Sequence, residues 1–246
     1  VYFYRINVET PQLQDKRVRR ALGMTIDRDQ LTERILKAGQ IPAYAITPPG
    51  TMGYYPESDL RFDPEAARQL LADAGYPNGE GFPSTEILYN TSEGHRKLAV
   101  AIQQMWKKHL NIDVTLLNQE WKVYLNSVSM KDYQIGRAGW IGDYVDPNNF
   151  LDMFLCNGGN NRTGWCNPAY DKLILEDAAE AETHEQRLAI FTQAEKMLLA
   201  DMPVIPIYIY TSNNLVDPSV KNFSGNILNQ PSFSEIYLES DNGGQQ

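Results

Sequence analysis

The sequence predicts an α/β fold, and three observations carry the prediction. Strand-like and amphipathic helical runs alternate along nearly the whole chain. Its 246 residues can bury a substantial core, in one large or two small domains. No period of 20 to 50 residues repeats, which sets aside solenoids and propellers.

The elements follow in order. VYFYRINV opens the chain as a strand. Residues 15–23 (DKRVRRALG) and 28–39 (RDQLTERILKAG) read as helices, the second with Asp27 as N-cap and Gly39 as C-cap. A Pro/Gly/Tyr-rich loop, IPAYAITPPGTMGYYPES, comes next; its length predicts packed coil or a functional loop. FDPEAARQLLADAGYP is a helix sentence: Asp63 caps, Pro64 takes the first turn and Gly75 stops it. STEILYN (84–90) is a strand. Residues 92–110 form an amphipathic helix with Leu98, Ile102, Met105 and Trp106 on one face. IDVTLLNQ (112–119) alternates as a strand, 122–130 is a short helix, and YQIGRAGW (133–140) is a strand. NNFLDMF is a short helix, and 168–181 and 184–200 form a helix pair. VIPIYIY (204–210) is a strand, and the loop-rich remainder holds one more, EIYL (235–238). The Tyr-rich runs VYFYRI and PIYIYT flank the α/β body. Side by side, they would enter and leave one lobe at one place, like a hinge.

Composition narrows the function. The formal net charge is −9 and the pI about 4.9, against a nucleic-acid binder, which needs a basic face for phosphates. The apolar run 202–210 is far too short to span a bilayer. The chain opens in a strand pattern with no initiator Met and closes on SDNGGQQ. That is expected of a piece of a longer protein, or of a mature chain cleaved just before its first strand. Cys156 and Cys166 flank NGGNNRTGW. Two thiols with no nearby His cannot fill a tetrahedral shell, so no metal is expected. A disulfide closing this loop, as in a secreted or periplasmic protein, is preferred over two buried free thiols.

The stretch RAGWIGDYVDP (137–147) concentrates chemistry: a cation, two carboxylates and two large aromatics, spaced by glycines, directly after a strand. No GxSxG, HExxH, P-loop or GxGxxG occurs, and no cofactor is expected. Asp143 and Asp146 could be a hydrolase acid/base pair. However, Asp146 precedes Pro147 and NNFLDMF, the composition of a helix N-cap. Asp143 has no such local explanation and is expected to accept hydrogen bonds from a ligand ammonium group. Trp140 either walls a pocket or belongs to the core. Arg137 either pairs with a nearby acid or meets a ligand carboxylate. Together, Arg137, Trp140 and Asp143 suit a zwitterion. His95, at a helix start after a strand, is expected to contact ligand; His109 and His184 are expected in solvent.

The chain resembles the periplasmic oligopeptide-binding proteins of ABC transporters, in ordered blocks: YRINVETPQLQDKRVRRAL, IPAYAITPP, LYNTSEGHRKLA, NQEWKVYL, RAGWIGDYVDP and PVIPIYIYTSNNLV. The resemblance covers essentially all 246 residues but only the C-terminal half of the family's chain. It implies a type II periplasmic-binding-protein lobe, a mixed sheet flanked by helices. Residues 1–210 would be the second ligand-binding lobe, with hinge strands at 1–7 and 204–211, and 212–246 a return segment to the missing first lobe. It implies capture of short peptides for a permease, without catalysis, in the periplasm or on a lipid anchor outside a Gram-positive cell. Alternatives on the same fold are a dipeptide, metal chelate, sugar or signalling peptide as ligand. The family pattern assigns the peptide α-amino group to Asp143, a side-chain pocket to Trp140, the peptide carboxylate to Arg137 and His95, and a place beside the ligand to Tyr210. Two departures stand out. Relatives carry a Cys directly after the motif Trp, where this chain has Ile141. A lysine used for longer peptides has no clear match, since Leu36 falls near it with Lys37 beside it, so preferred peptide length is not implied.

Overall fold

The computed structural model describes residues 1–224 and 232–239. Six strands form one mixed sheet: β1 (Tyr2–Ile6), β2 (Ile41–Pro42), β3 (Thr85–Asn90), β4 (Val114–Gln119), β5 (Ile135–Gly139) and β6 (Val204–Ile209), in the order β2-β6-β1-β5-β3-β4. β3 runs parallel to β4 and β5, whereas β1 runs antiparallel to both its neighbours, β5 and β6. The two Tyr-rich strands therefore do lie side by side.

Alternation along the strands divides the core between two faces. Tyr2, Tyr4 and Ile6 share one face with Ile87, Tyr89, Ile135, Ile205 and Ile207. There they meet helices α1 (Lys16–Met24), α3 (Pro64–Asp73) and α4 (Glu93–Leu110). Val1, Phe3 and Ala138 point the other way. That face is covered by α5 (Trp121–Ser129), the short α6 (Asn148–Leu151) and the run from α7 (Pro168–Lys172) through α8 (Ala178–Glu180) to α9 (His184–Asp201). Helix α2 (Arg28–Gln30) continues as a wider π-type coil over Leu31–Leu36.

Local signals explain the helix starts. Asp15, Asp27 and Asp63 each accept a backbone N–H from the first turn. Thr183 and Gln186 close a reciprocal capping box on α9. The expected stop of the second helix at Gly39 is corrected: Lys37 ends it, in the left-handed region at φ 56°. The strand expected at 235–238 is reduced to β8 (Tyr237–Leu238), paired with a short β7 (Val220–Lys221). Of the proposed return segment 212–246, residues 225–231 and 240–246 lie outside the described residues.

Two buried charges pin the loop between α2 and α3. Arg28, 0% exposed, donates through Nε to Ala43 O at 2.8 Å and Pro206 O at 2.9 Å, and through NH1 to Gly23 and Ile26 carbonyls. Burial lowers its pKa to about 10. Glu195, from α9, accepts from the backbone of Ile46 and Thr47 and the phenol of Tyr54.

Candidate functional site

Antiparallel pairing brings the start of β1 to the ends of two other strands. Tyr2 lies opposite Gly139 of β5 and Tyr208 of β6. β3, parallel to β5, ends at the same edge, and α4 begins three residues after it. This is the edge where α/β sheets commonly hold ligands, beyond the carboxyl ends of their strands.

Arg137 is the hub of that edge. Its NH2 donates to Tyr210 Oη at 3.1 Å and its NH1 to Asn90 Oδ1 at 3.4 Å. Its guanidinium carbon lies 5.0 Å from the centroid of the Tyr2 ring. Tyr2 in turn stacks on Tyr208 at 4.7 Å and meets Tyr210 edge-on, and its hydroxyl is 3.4 Å from His95 Nδ1. Nε of Arg137 is buried with no partner, and among the described residues no carboxylate pairs with this guanidinium. Burial, and then the Arg137 charge, lower the His95 pKa to about 4, so the imidazole is neutral at pH 7. Burial also raises the phenols of Tyr2 and Tyr210. Glycine at 139 leaves room for Tyr210 to reach Arg137: a Cβ there would sit 2.5 Å from Tyr210 Oη.

Beyond β5 the chain turns outward. Trp140 N donates to Val1 O at 2.8 Å, continuing the β1–β5 pairing. One buried oxygen, Asn149 Oδ1, then organises the turn: it accepts Trp140 Nε1 at 2.9 Å and Asp143 N at 3.2 Å. Gly142 lets Phe150 approach, since a Cβ would be 3.1 Å from the ring. Trp140 is half-buried, with one side packed on the core and the rest open. The Asp143 carboxylate is exposed and has no hydrogen-bond or ion-pair partner among the described residues. The edge thus carries an unpaired anion and an acid-free cation, with aromatic surface nearby.

The profile of the bacterial extracellular solute-binding proteins, family 5 (middle region), matches residues 1–162. The chain belongs to this family. The oligopeptide-binding protein OppA of Bacillus subtilis is 38% identical over 98% of the chain and 44% of the relative. The solved Escherichia coli murein tripeptide binding protein MppA superposes with a TM-score of 0.83 at 40% identity, covering 94% of the chain and 45% of MppA. Haemophilus influenzae OppA in complex with RPPGFSPFR gives a TM-score of 0.82 at 33% identity, over 97% of the chain and 48% of that protein. The chain therefore spans less than half the length of these relatives, and its fold is that of type II periplasmic binding proteins.

In this family member, then, five residues expected at the site, Arg137, Tyr210, His95, Trp140 and Asp143, all lie along one sheet edge. Asp146 does not join them chemically. Both its carboxylate oxygens accept from Arg187, at 2.7 and 3.0 Å, and one also accepts Asn148 N at 2.9 Å. It anchors α6 to α9 and has no free carboxylate to offer Asp143 in acid/base chemistry. His184 is exposed, as expected, with Nε2 3.1 Å from Met52 O, whereas His109 is half-buried because it packs edge-on against Phe62.

Sequence reasoning missed three positions. Asn149 is the organiser of the 140–143 turn. Trp121, 49% exposed, stands at the end of β4 and stacks on Tyr124 at 5.7 Å. The Tyr124 hydroxyl donates to the carbonyl of Arg137, tying α5 to the hub. The signal for Trp121 was available: NQEWKVYL sets an aromatic at a helix start directly after a strand. Cys156 and Cys166 are joined by a disulfide. Within their loop Asn161 Nδ2 donates to the carbonyls of Phe154, Leu155 and Trp165.

Proposed function

We propose that the chain is the second ligand-binding lobe of a receptor that captures short peptides outside the cytoplasm and hands them to an ABC transporter permease. The observation that carries it is the pairing of charge at the edge: Asp143 open and unpartnered, Arg137 without an acid. Every peptide brings an ammonium and a carboxylate. A receptor for many sequences gains most by holding those shared ends and leaving side chains in roomy pockets. On this reading Asp143 takes the α-amino group, Arg137 the carboxylate, and Tyr210 orients the guanidinium. His95 is neutral and acts as a hydrogen-bond donor. Trp140 and Trp121 offer apolar walls. The relatives' names and the peptide-bound structure of Haemophilus influenzae OppA support the peptide-receptor reading.

The same reading gives the domain plan. Residues 1–210 form the lobe, the adjacent strands at 1–7 and 204–211 act as the hinge, and 212–246 return to a first lobe within a longer protein. The coverage of less than half of each relative supports it. The periplasm, or an anchored position outside the membrane, is the compartment in which such a receptor and the Cys156–Cys166 disulfide would both be at home.

The test is calorimetry with defined peptides, on the protein extended to its relatives' length. Asp143→Ala should weaken binding about tenfold or more, the worth of one charge-assisted hydrogen bond of about 1.5–3 kcal/mol. Unchanged affinity in a folded variant would defeat the assignment of the ammonium site.

A further inference from the structure

On the opposite face of β1 from Tyr2 and Tyr4 lies a second cation that the site described so far does not use. Arg5 is paired through its backbone with Gly136 on one side and Val204 on the other. Its guanidinium carbon lies 5.8 Å from the Phe3 ring, and its Nε is fully buried with no partner. The residue keeps partial exposure, which in a central strand belongs to the end of its side chain. The strongest electrostatic neighbours of Arg5 are two phenols, Tyr133 and Tyr124, and two more cations, Arg162 and Arg137. No hydrogen bond or ion pair joins Arg5 or Arg162 to a carboxylate among the described residues. Glu9, which faces Tyr133, is tied to Lys131 at 2.6 Å.

This is an unusual arrangement in a chain of net charge −9. A guanidinium nitrogen buried without an acceptor is costly unless a nearby counter-charge compensates it. The surroundings are also fixed in place. Tyr124 donates to Arg137 O and Tyr133 to Arg162 O. The disulfide and Asn161 brace the loop that carries Arg162. Arg5 lies beside β5, the strand that carries Arg137, and Tyr124, whose hydroxyl donates to the Arg137 carbonyl, is among its nearest electrostatic neighbours.

We infer that Arg5, seconded by Arg162, forms a subsite for an acidic side chain of the bound peptide, so that this receptor favours peptides carrying a glutamate or aspartate at one position. The inference rests on the peptide-receptor reading and adds a specificity to it. Arg5 would meet the carboxylate by its planar fork, with the phenols walling the subsite.

The experiment is isothermal titration of the protein extended to its relatives' length, using alanine-based tri- to pentapeptides with Glu or Gln placed at each position in turn. At one position Glu should bind about tenfold more tightly than Gln. Arg5→Gln should bring that ratio close to one, and Arg5→Glu should reverse it in favour of Lys. Arg162→Gln, a change on the braced loop rather than in the sheet, should lower the ratio even if the Arg5 variants fold poorly. Tight binding with a Glu-to-Gln ratio near one at every position would overturn the subsite while leaving the receptor standing. So would a ratio that Arg5→Gln leaves unchanged, which would assign the counter-charge of Arg5 to the remainder of the longer protein. Failure of all the peptides to bind would overturn the receptor reading and the subsite together.

Discussion

Removing the Glu195 carboxylate should loosen the long loop from the lobe. The side chain is 0% exposed. Oε1 accepts the backbone N–H groups of Ile46 and Thr47, each at 2.8 Å, and Oε2 accepts the Tyr54 hydroxyl at 2.8 Å. Glu195→Ala strands three buried donors at once. One stranded donor costs about 1–3 kcal/mol, and breaking a buried charged network costs about 3–5 kcal/mol. With about 2–4 °C lost per kcal/mol in a chain of this size, Tm should fall by roughly 10 °C. Glu195→Gln keeps an acceptor for the two backbone donors and should cost only about 1 kcal/mol. The two variants also separate charge from hydrogen bonding. Burial raises the Glu195 pKa above its ordinary 4.5, so the folded lobe keeps this proton to higher pH than the unfolded chain does. Its contribution to stability is therefore full below pH 4.5 and declines as pH rises through the folded value. Glutamine does not titrate, so the deficit of Glu195→Gln relative to the parent should shrink between pH 4.5 and 7. Thermal unfolding followed by circular dichroism across that range measures both effects. A Glu195→Ala Tm within about 3 °C of the parent would refute the claim that this carboxylate holds the loop.

Three further outcomes are expected. Gly139→Ala drives a Cβ to within 2.5 Å of Tyr210 Oη, so Tyr210 must leave Arg137; ligand affinity by calorimetry should drop roughly tenfold with little change in Tm, and undiminished affinity would count against the hub. His95, held at about 4 by burial and Arg137, should stay neutral down to pH 5 in an NMR titration. Its depressed pKa means that the stability it contributes is full above the unfolded value of 6.5 and is lost as pH falls toward 4; a midpoint above 6 would contradict the burial argument. Reducing the Cys156–Cys166 bond, which closes a sequence separation of 10, should cost about 3 kcal/mol by loop entropy, seen as a Tm lower by roughly 6–12 °C; an unchanged Tm would show that Asn161 alone braces the loop.

What could be read from the sequence divides along the range of the interactions. The main strands and helices were legible because their causes are local: alternation in VYFYRI, a capping aspartate before 16, 28 and 64, a Thr183–Gln186 spacing. The stop at Lys37 was not, because the choice between Lys37 and Gly39 depends on how the π-type coil packs. β2 is two residues long inside a Pro-rich loop and pairs with a strand more than 160 residues away. Nothing local marks Arg28 or Glu195 as buried, because partners of each come from distant segments. Asp143 stood out because nothing nearby explained it, whereas the Asp146–Arg187 pair crosses 41 residues. Arg5 passed as one polar member of an alternating strand; only its neighbours, all distant in sequence, make it unusual.

The place of β1 in the sheet sets an order of events in time. Its two neighbours are β5, some 130 residues later, and β6, some 200 residues later. Within this six-stranded sheet, the first strand in sequence is flanked by the last. Until residues 204–209 are available, β1 and β2 each lack a partner, and both core faces lack the residues that β6 contributes. Such long-range closure is slow, because chain entropy must be lost before any contact rewards it. During synthesis the sheet would thus stay unfinished until its final strand locks it shut.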